Sequence, residues 1–271
     1  MFLFNQLDIL VMDFKKFYNE HSEYVARRSE NNESFKEYID EIDFKTKELL
    51  KVIDQNGNYN SILEVGCSNG ILLHSLADKL GIKNKVYGID ISTKNIQDAT
   101  QRFPKYVFID GTIESFLETN NEVFDLVILS DIIEHVPDDL GFIKQVSSIS
   151  KQILINLPLE RSFTNRNRNY GETDTSGHLR CYNNKEGVAL IEKAGLKIIN
   201  SNRVISAKES KAIFKNYKLK QIKRLDKKSL SKKIFWKSVY FVKDYVLLKL
   251  PSIYRNLYGE NLYCLTENKI K

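Results

Sequence analysis

The sequence predicts an α/β fold with a Rossmann-like, doubly wound sheet of seven strands, mostly parallel with an antiparallel last strand. An apolar run at 62–65 enters a turn that contains Gly66 and Gly70, and a helical pattern follows. A second apolar run ends in Asp90, 20 positions after Gly70, which is the spacing of a nucleotide-binding βαβ unit. Short apolar runs then alternate with helical patterns, as is typical of a parallel sheet covered by helices.

The individual elements are predicted in chain order. Two helices precede the sheet, at 13–28 and 34–54, and the second has an apolar stripe at helical spacing. Strands are expected at about 61–66, 85–90, 105–109, 123–130, 152–157, 197–205 and 261–266. The chain thus divides into an N-terminal helical cap at 1–54, a Rossmann-like core at 55–205, a basic and apolar helical insertion at 206–257, and a last core strand with a tail at 258–271.

The composition is that of an enzyme of ordinary size. A chain of 271 residues can form one large domain with an appendage. Its three cysteines are odd in number and lack metal-ligand spacing, so we expect neither a disulfide framework nor a metal site. The apolar start at 1–4 is interrupted by Asp8 and Asp13 and has no positive segment before it, which does not predict a secretory signal. We therefore expect a cytoplasmic protein.

The positive charge is concentrated in one segment. Between Lys215 and Lys237 there are ten Lys and Arg residues and the single acid Asp226, so this window carries a net charge of +9. The whole chain carries +6, which leaves −3 for the rest. Because the predicted core is not basic, the charge gives little support to a nucleic-acid partner.

The glycine turn is unsuited to a diphosphate. Dinucleotide-binding turns use three closely spaced glycines, whereas Cys67, Ser68 and Asn69 separate the two glycines here. Glu64, two positions before Gly66, would repel a phosphate and attract a cation or an amine.

The pattern Glu64-x-Gly66-x-x-x-Gly70 with Asp90 resembles the first two motifs of the class I S-adenosylmethionine-dependent methyltransferases. The resemblance implies S-adenosylmethionine as cofactor and S-adenosylhomocysteine as product. It places Gly66 and Gly70 along the methionine part and Asp90 on both ribose hydroxyls. The neighbouring residues Glu64, Cys67 and Ile91 are then expected in the same cofactor site.

The segment after the third predicted strand, 109–114, is similar to the one that contacts adenine in that family. Asp110 or Thr112 can face the adenine amino group, with Ile113 against the ring and Gly111 in the same turn. The alternative is that Asp110 only caps the following helix.

The segment 124–138 resembles the corresponding part of ubiquinone-biosynthesis-like methyltransferases, in which an acid and a Glu-His pair follow the strand. The resemblance places Ser130 and Asp131 at the cofactor. His135 is a candidate general base, because an imidazole can accept a proton at neutral pH; its alternative role is packing or capping. The Asn/Asp-Pro-Pro-aromatic turn of base-modifying enzymes does not occur here, which argues against DNA adenine or protein glutamine as substrate.

The stretch 176–182 is also similar to ubiquinone-type and sugar-type methyltransferases, where it borders the acceptor pocket. His178 is therefore the preferred candidate base, with a structural role as the alternative, and Tyr182 is expected near the acceptor. Four arginines lie close by in sequence: Arg161, Arg166, Arg168 and Arg180. Guanidinium groups bind phosphate and carboxylate, which suggests an anionic small acceptor, although such residues are often solvated loop arginines.

Two outer segments are candidates for covering the site. In 206–257, apolar residues follow the basic window and interspersed charges exclude a clean membrane span. This insertion is interpreted as a lid, a dimer surface or an amphipathic helix on an anionic membrane. The first helix can close over the cofactor, with Tyr18, Tyr24 and Arg27 as candidate contacts.

The sequence thus predicts a class I methyltransferase that methylates an oxygen of a small polar or anionic metabolite, such as a nucleotide-linked sugar or a phosphorylated precursor of a surface polysaccharide. No metal is expected, and the protein is expected to be a monomer or homodimer. A quinone or lipid acceptor is the first alternative, RNA the second, and a cofactor-binding protein without activity the third.

Overall fold

A computed structural model describes residues 14–20, 28, 30, 32, 34–54, 57–171, 174 and 176–269. A seven-stranded sheet forms its centre. The strands are β1 (Ser61–Val65), β2 (Lys85–Asp90), β3 (Val107–Asp110), β4 (Phe124–Ser130), β5 (Ser150–Leu159), β6 (Leu196–Val204) and β7 (Glu260–Asn268).

The sheet confirms the predicted fold class. Its order is β3-β2-β1-β4-β5-β7-β6; the first five of these are parallel, and β7 is antiparallel to both of its neighbours. From β1, the chain first adds strands on one side of the sheet (β2, then β3) and then on the other side (β4, then β5), so the strand order changes direction between β1 and β4. In open α/β sheets a ligand crevice forms at the carboxyl end of the strands at such a switch point.

Helices cover both faces of this sheet. They are α1 (Phe14–Glu20), α2 (Ser34–Val52), α3 (Ile71–Lys79), α4 (Thr93–Arg102), α5 (Ile113–Thr119), α6 (Asp139–Ser148), α7 (Asn184–Lys193), α8 (Ser206–Glu209), α9 (Lys211–Asp226), α10 (Leu230–Lys249) and α11 (Pro251–Tyr258). Because side chains alternate along a strand, Ile62 packs with α2 and α3 on one face while Leu63 packs with α5, α6 and α7 on the other. The central strands are therefore apolar throughout.

The helices after β6 form a smaller assembly. Ile205, Leu247 and Tyr254 make a separate buried cluster there. Several apolar side chains of α10 remain exposed, including Leu230, Phe241 and Val242. No helix among the described residues is long and apolar enough to cross a bilayer.

The predicted element boundaries differ from the observed ones in a few places. The third strand begins at Val107 because a turn, in which the Tyr106 amide donates to the carbonyl of Phe103, precedes it. Of the first predicted helix, residues 14–20 are described and helical. Tyr24, Arg27 and the chain start at 1–4 lie outside the described residues.

Candidate active site

A cavity of about 1130 Å³ lies at the carboxyl ends of β1, β2, β3 and β4, where the strand order reverses. It is lined by the loops that follow these strands and by residues of α1 and α2. Of the predicted cofactor residues, all except Gly70 line it: Glu64, Gly66, Cys67, Asp90, Ile91, Asp110, Gly111, Thr112, Ile113, Ser130 and Asp131. Both predicted bases, His135 and His178, line it as well.

The turn after β1 requires its two glycines. Gly66 has φ +80° and Gly70 has φ +74°, in the left-handed region that glycine favours. A Cβ on Gly66 would lie 2.9 Å from the Ile132 side chain, and one on Gly70 would lie 2.8 Å from the Phe108 ring. Gly66 therefore brings bare backbone to the cavity wall, while Gly70 starts α3.

Asp90 ends β2 with its carboxylate largely engaged. Its oxygens accept hydrogen bonds from the amides of Ser68 and Ser92, both at 2.8 Å, and from Nδ2 of Asn95 at 3.3 Å. Burial raises the pKa of this carboxyl above its usual value, and these hydrogen bonds oppose the increase. Since a carboxylate offers about four acceptor positions, roughly one remains for a ligand in the cavity.

Glu64 is a buried acid in the wall of the cavity. It is 2% exposed, and its Oε2 has no hydrogen-bond partner among the described residues. Burial raises the pKa of Glu64 well above its usual value, while Lys45 acts in the opposite direction. An unpaired polar atom in such a position is costly unless a ligand supplies a donor.

Lys45 of α2 is a site residue that the sequence analysis missed. Its Nζ lies 2.5 Å from Asp131 Oδ2, and Asn156 Nδ2 donates to Asp131 Oδ1 at 3.0 Å. Asp131 raises the pKa of Lys45 against the effect of burial. One feature of the sequence could have indicated Lys45. It lies at helical spacing between Ile42 and Leu49, so it belongs to the buried face of α2, where a lysine is unusual.

The loop after β3 forms another part of the wall. Thr112 caps α5, since it accepts from the Ser115 amide, so Asp110 is not the cap. Instead Asp110 accepts from the Thr93 hydroxyl at 2.5 Å and pairs with Lys15 of α1 at 3.0 Å. The sequence analysis did not single out Lys15, which closes this side of the cavity.

Two histidines meet at the opposite part of the cavity. The rings of His135 and His178 are perpendicular, with centroids 4.7 Å apart. Nδ1 of His135 lies 2.9 Å from the Gly177 carbonyl oxygen and 2.8 Å from the Tyr18 hydroxyl, and Nδ1 of His178 lies 2.9 Å from Glu160 Oε2. Burial, and then the neighbouring His178, lower the pKa of His135 to about 4.

Glu134 completes this group. It is 1% exposed, and within the described part of the chain neither of its carboxyl oxygens has a hydrogen-bond partner. Its Oε1 lies 3.7 Å from Nε2 of His135. Burial and then the charge of Asp131 raise the pKa of Glu134 well above its usual value.

A family model described as "Methyltransferase domain" matches residues 57–170. This segment of the chain is therefore similar to known methyltransferase domains. The matched residues include the glycine turn, Asp90 and the Glu134-His135 pair, whereas His178 lies beyond them.

Known proteins similar to this chain include curated relatives and solved structures. The ubiquinone biosynthesis O-methyltransferase of Vibrio vulnificus (strain YJ016) is 31% identical over 94 residues, which are 33% of this chain and 39% of that protein. The chain therefore spans about two fifths of the length of this relative. Among solved structures, the N-methyltransferase NodS from Bradyrhizobium japonicum WM9, in complex with S-adenosyl-L-homocysteine, has a TM-score of 0.56 at 13% identity and covers 92% of this chain and 98% of its own. The [4+2]-cyclase SpnF has a TM-score of 0.61 at 13% identity and covers 96% of both chains.

These structural similarities establish the fold alone. SpnF, named a cyclase, has the same architecture as the methyltransferases, so the architecture by itself does not specify methyl transfer. The argument for activity must come from the residues of the cavity.

The four arginines that were predicted to bind the acceptor do not line the main cavity. Arg161, Arg166 and Arg168 line a second cavity of about 550 Å³. Arg168 forms ion pairs with Asp174 at 2.6 Å and Glu160 at 2.8 Å. Arg168 therefore holds the carboxylate that in turn accepts from His178.

The remaining two predicted acceptor residues also have structural contacts. Arg180 pairs with Asp139 at 2.9 Å, and the buried Tyr182 donates its hydroxyl hydrogen to the same carboxylate at 2.6 Å. Neither side chain lines the main or the second cavity. The part of the main cavity around His135 and His178 is thus lined by acids and imidazoles, and none of these four arginines lines it.

Proposed function

We propose that the protein transfers a methyl group from S-adenosylmethionine to an oxygen atom of a small polar acceptor. The observation that carries this proposal is the content of the main cavity. The glycine turn, Asp90 and the unpaired Glu64 lie at its strand-end wall, and Glu134, His135 and His178 lie in the same space. A volume of about 1130 Å³ leaves room for a second small molecule beside the cofactor.

The donor fits the residues at the strand ends. Asp90 has roughly one acceptor position left for a ribose hydroxyl, and the bare backbone at Gly66 permits close approach. The unpaired Oε2 of Glu64 suits an ammonium group, and the Lys45 cation suits a carboxylate. An acceptor oxygen at Glu64 and a cation at Lys45 match the ammonium and carboxylate groups of the methionine part. When bound, S-adenosylmethionine supplies a methyl group activated by the positive charge on sulfur.

The chain contributes alignment and proton handling to the reaction. Holding two reactants together in one cavity supplies most of the rate advantage when the donor is already activated. A hydroxyl acceptor must also lose its proton. Both Nδ1 atoms of the histidine pair are engaged, so the two Nε2 atoms can act at the acceptor, as proton acceptors or as ligands.

The contacts of the cavity favour a neutral, hydroxyl-rich acceptor group. The arginines that would have bound an anion have protein partners elsewhere, and the basic residues 215–237 do not line the cavity. We propose a sugar, including nucleotide-linked and phosphorylated ones, as the first acceptor class. A quinone-type phenol is the second, since the curated relative is named for ubiquinone O-methylation and α10 exposes apolar side chains.

The test is methyl transfer from labelled S-adenosylmethionine to two acceptor panels, one of sugars and sugar nucleotides and one of catechols and quinols. We expect S-adenosylhomocysteine to bind in calorimetry, and one panel to accept label. The variant His178→Ala is expected to retain S-adenosylhomocysteine binding and to lose most of its turnover. Failure of S-adenosylhomocysteine to bind would refute the donor site, and transfer unaffected by His178→Ala would refute the role of the histidine pair.

A further inference from the structure

Three side chains of the cavity form a candidate metal centre. Glu134, His135 and His178 each offer one ligand atom, and these atoms all lie within 4.8 Å of one another. We propose that they bind one divalent transition-metal ion of the zinc type. No metal was expected from the sequence, because its three cysteines are odd in number and lack metal-ligand spacing. His178 is more than forty residues away from the other two ligands, so the set becomes visible only in the fold.

The hydrogen bonds of both imidazoles engage Nδ1 and leave Nε2 of each ring available to bind a metal ion. The carbonyl oxygen of Gly177 can only accept, so Nδ1 of His135 must carry the hydrogen of their 2.9 Å contact. Glu160, paired with Arg168, likewise accepts from Nδ1 of His178. In the neutral form of each ring, the lone pair is then on Nε2. Metal-binding histidines commonly donate their other ring hydrogen to a carbonyl or a carboxylate, which fixes the ring.

The burial of Glu134 is a second, independent indication of a metal site. Its side chain is 2% exposed, and no described residue donates a hydrogen bond to either oxygen. A buried carboxylate without a donor is strongly unfavourable unless a cation or a proton neutralises it. The approach of His135 Nε2 at 3.7 Å is too long for a hydrogen bond but leaves room for an ion between the two groups.

Two imidazoles and one carboxylate favour zinc, cobalt or iron over magnesium, which prefers oxygen ligands. Three protein ligands leave at least one coordination position facing the cavity. Catalytic use of that position rests on the proposed function. A cation there would bind the acceptor hydroxyl and lower its pKa. The hydroxyl proton leaves to solvent, the oxygen donates its electron pair to the new bond to the methyl carbon, and the carbon–sulfur pair returns to sulfur.

This arrangement also narrows the acceptor class. An ion with more than one open position binds two adjacent oxygen atoms better than one. A vicinal diol of a sugar or a catechol is therefore the expected acceptor group, whereas an isolated hydroxyl is not.

The experiment is calorimetric titration of the chelator-stripped full chain with Zn²⁺, repeated with Co²⁺ while the absorption spectrum is recorded. We expect one equivalent to bind. Glu134→Gln, which keeps the volume of the side chain, and His178→Gln are expected to weaken binding at least tenfold. Glu160→Gln, which replaces the carboxylate partner of His178 and also removes the ion pair with Arg168, is expected to weaken it by about 10- to 100-fold. The control is His74→Gln, whose imidazole lies outside the cavity against Phe103 and Tyr106, and it should bind like the parent.

Two results would overturn the metal site: no stoichiometric binding to the stripped protein, or binding that survives Glu134→Gln and His178→Gln unchanged. The first would mean that a proton neutralises Glu134 instead. S-adenosylhomocysteine is titrated into the same samples, which also shows that each variant is folded. Cofactor binding without metal binding would overturn this inference and leave the proposed function, and metal binding without cofactor binding would do the reverse.

Discussion

Replacing Asp90 with Asn should weaken cofactor binding by about one charge-assisted hydrogen bond. The parent carboxylate already accepts from two amides at 2.8 Å and from Asn95 at 3.3 Å, so roughly one acceptor position remains for the ribose. Hydrogen bonds to charged groups contribute about 1.5–3 kcal/mol. This corresponds to a Kd that is about 10- to 150-fold higher.

The substitution also affects folding, because an amide group has only one acceptor oxygen. One of the two backbone N–H groups, of Ser68 or of Ser92, then loses its partner at a cost of about 1–3 kcal/mol. Thermal denaturation must therefore show that the variant is folded at the titration temperature. The assay is calorimetric titration with S-adenosylhomocysteine, and Asp98→Asn is the matched control, since Asp98 pairs with Arg102 away from the cavity. A folded Asp90→Asn protein with the parental Kd would refute the placement of the ribose.

The remaining predictions concern the donor site and the stability of the fold. Lys45→Met should raise the Kd for S-adenosylhomocysteine about tenfold or more, because a charge-assisted hydrogen bond to the ligand's carboxylate is lost. The Kd for 5′-methylthioadenosine, which lacks the amino-acid part, should stay unchanged. An equal loss of affinity for both ligands would contradict the placement of Lys45 at the carboxylate. Gly70→Ala should lower the free energy of unfolding in urea by at least about 1–2 kcal/mol, because its φ of +74° is strained for alanine and the Phe108 ring must move. Asp174, whose pKa is lowered chiefly by its hydrogen bonds from Arg168, stabilises the fold above its unfolded pKa of about 3.9 and loses that effect as pH falls toward its folded pKa. The stability difference between parent and Asp174→Asn in urea should therefore be largest near neutral pH and narrow below about pH 4; a constant difference would contradict it.

Local signals were sufficient for the sheet and for the glycine turn. The strands β1, β2 and β4 are nearly continuous apolar runs because both of their faces are covered, and such runs can be recognised in sequence. The φ values of Gly66 and Gly70 follow from a tight turn between a strand and a helix. These features depend on residues close together in the chain, so one sequence is enough to predict them.

Residues brought in by distant segments could not be predicted in this way. Lys45 reaches Asp131 only because α2 packs across the end of the sheet. Glu160 is one acid among many in the sequence, and nothing local indicates that His178 donates to it. The site residues of the predicted cofactor turn lie in the cavity, whereas partners from other elements become visible only in three dimensions.

The four arginines show that charged residues clustered in the sequence need not lie in the same site of the folded protein. Four arginines within twenty residues suggested an anionic acceptor, but Arg168 and Arg180 are paired with Asp174, Glu160 and Asp139. These guanidinium groups are held by their carboxylate partners away from the main cavity, so they do not face a ligand there. The same pairing keeps Glu160 ionised, since His178 and then Arg168 lower its pKa despite burial. The part of the cavity around His135 and His178 therefore presents carboxyl and imidazole groups rather than guanidinium groups, which is the environment that the proposed cation requires.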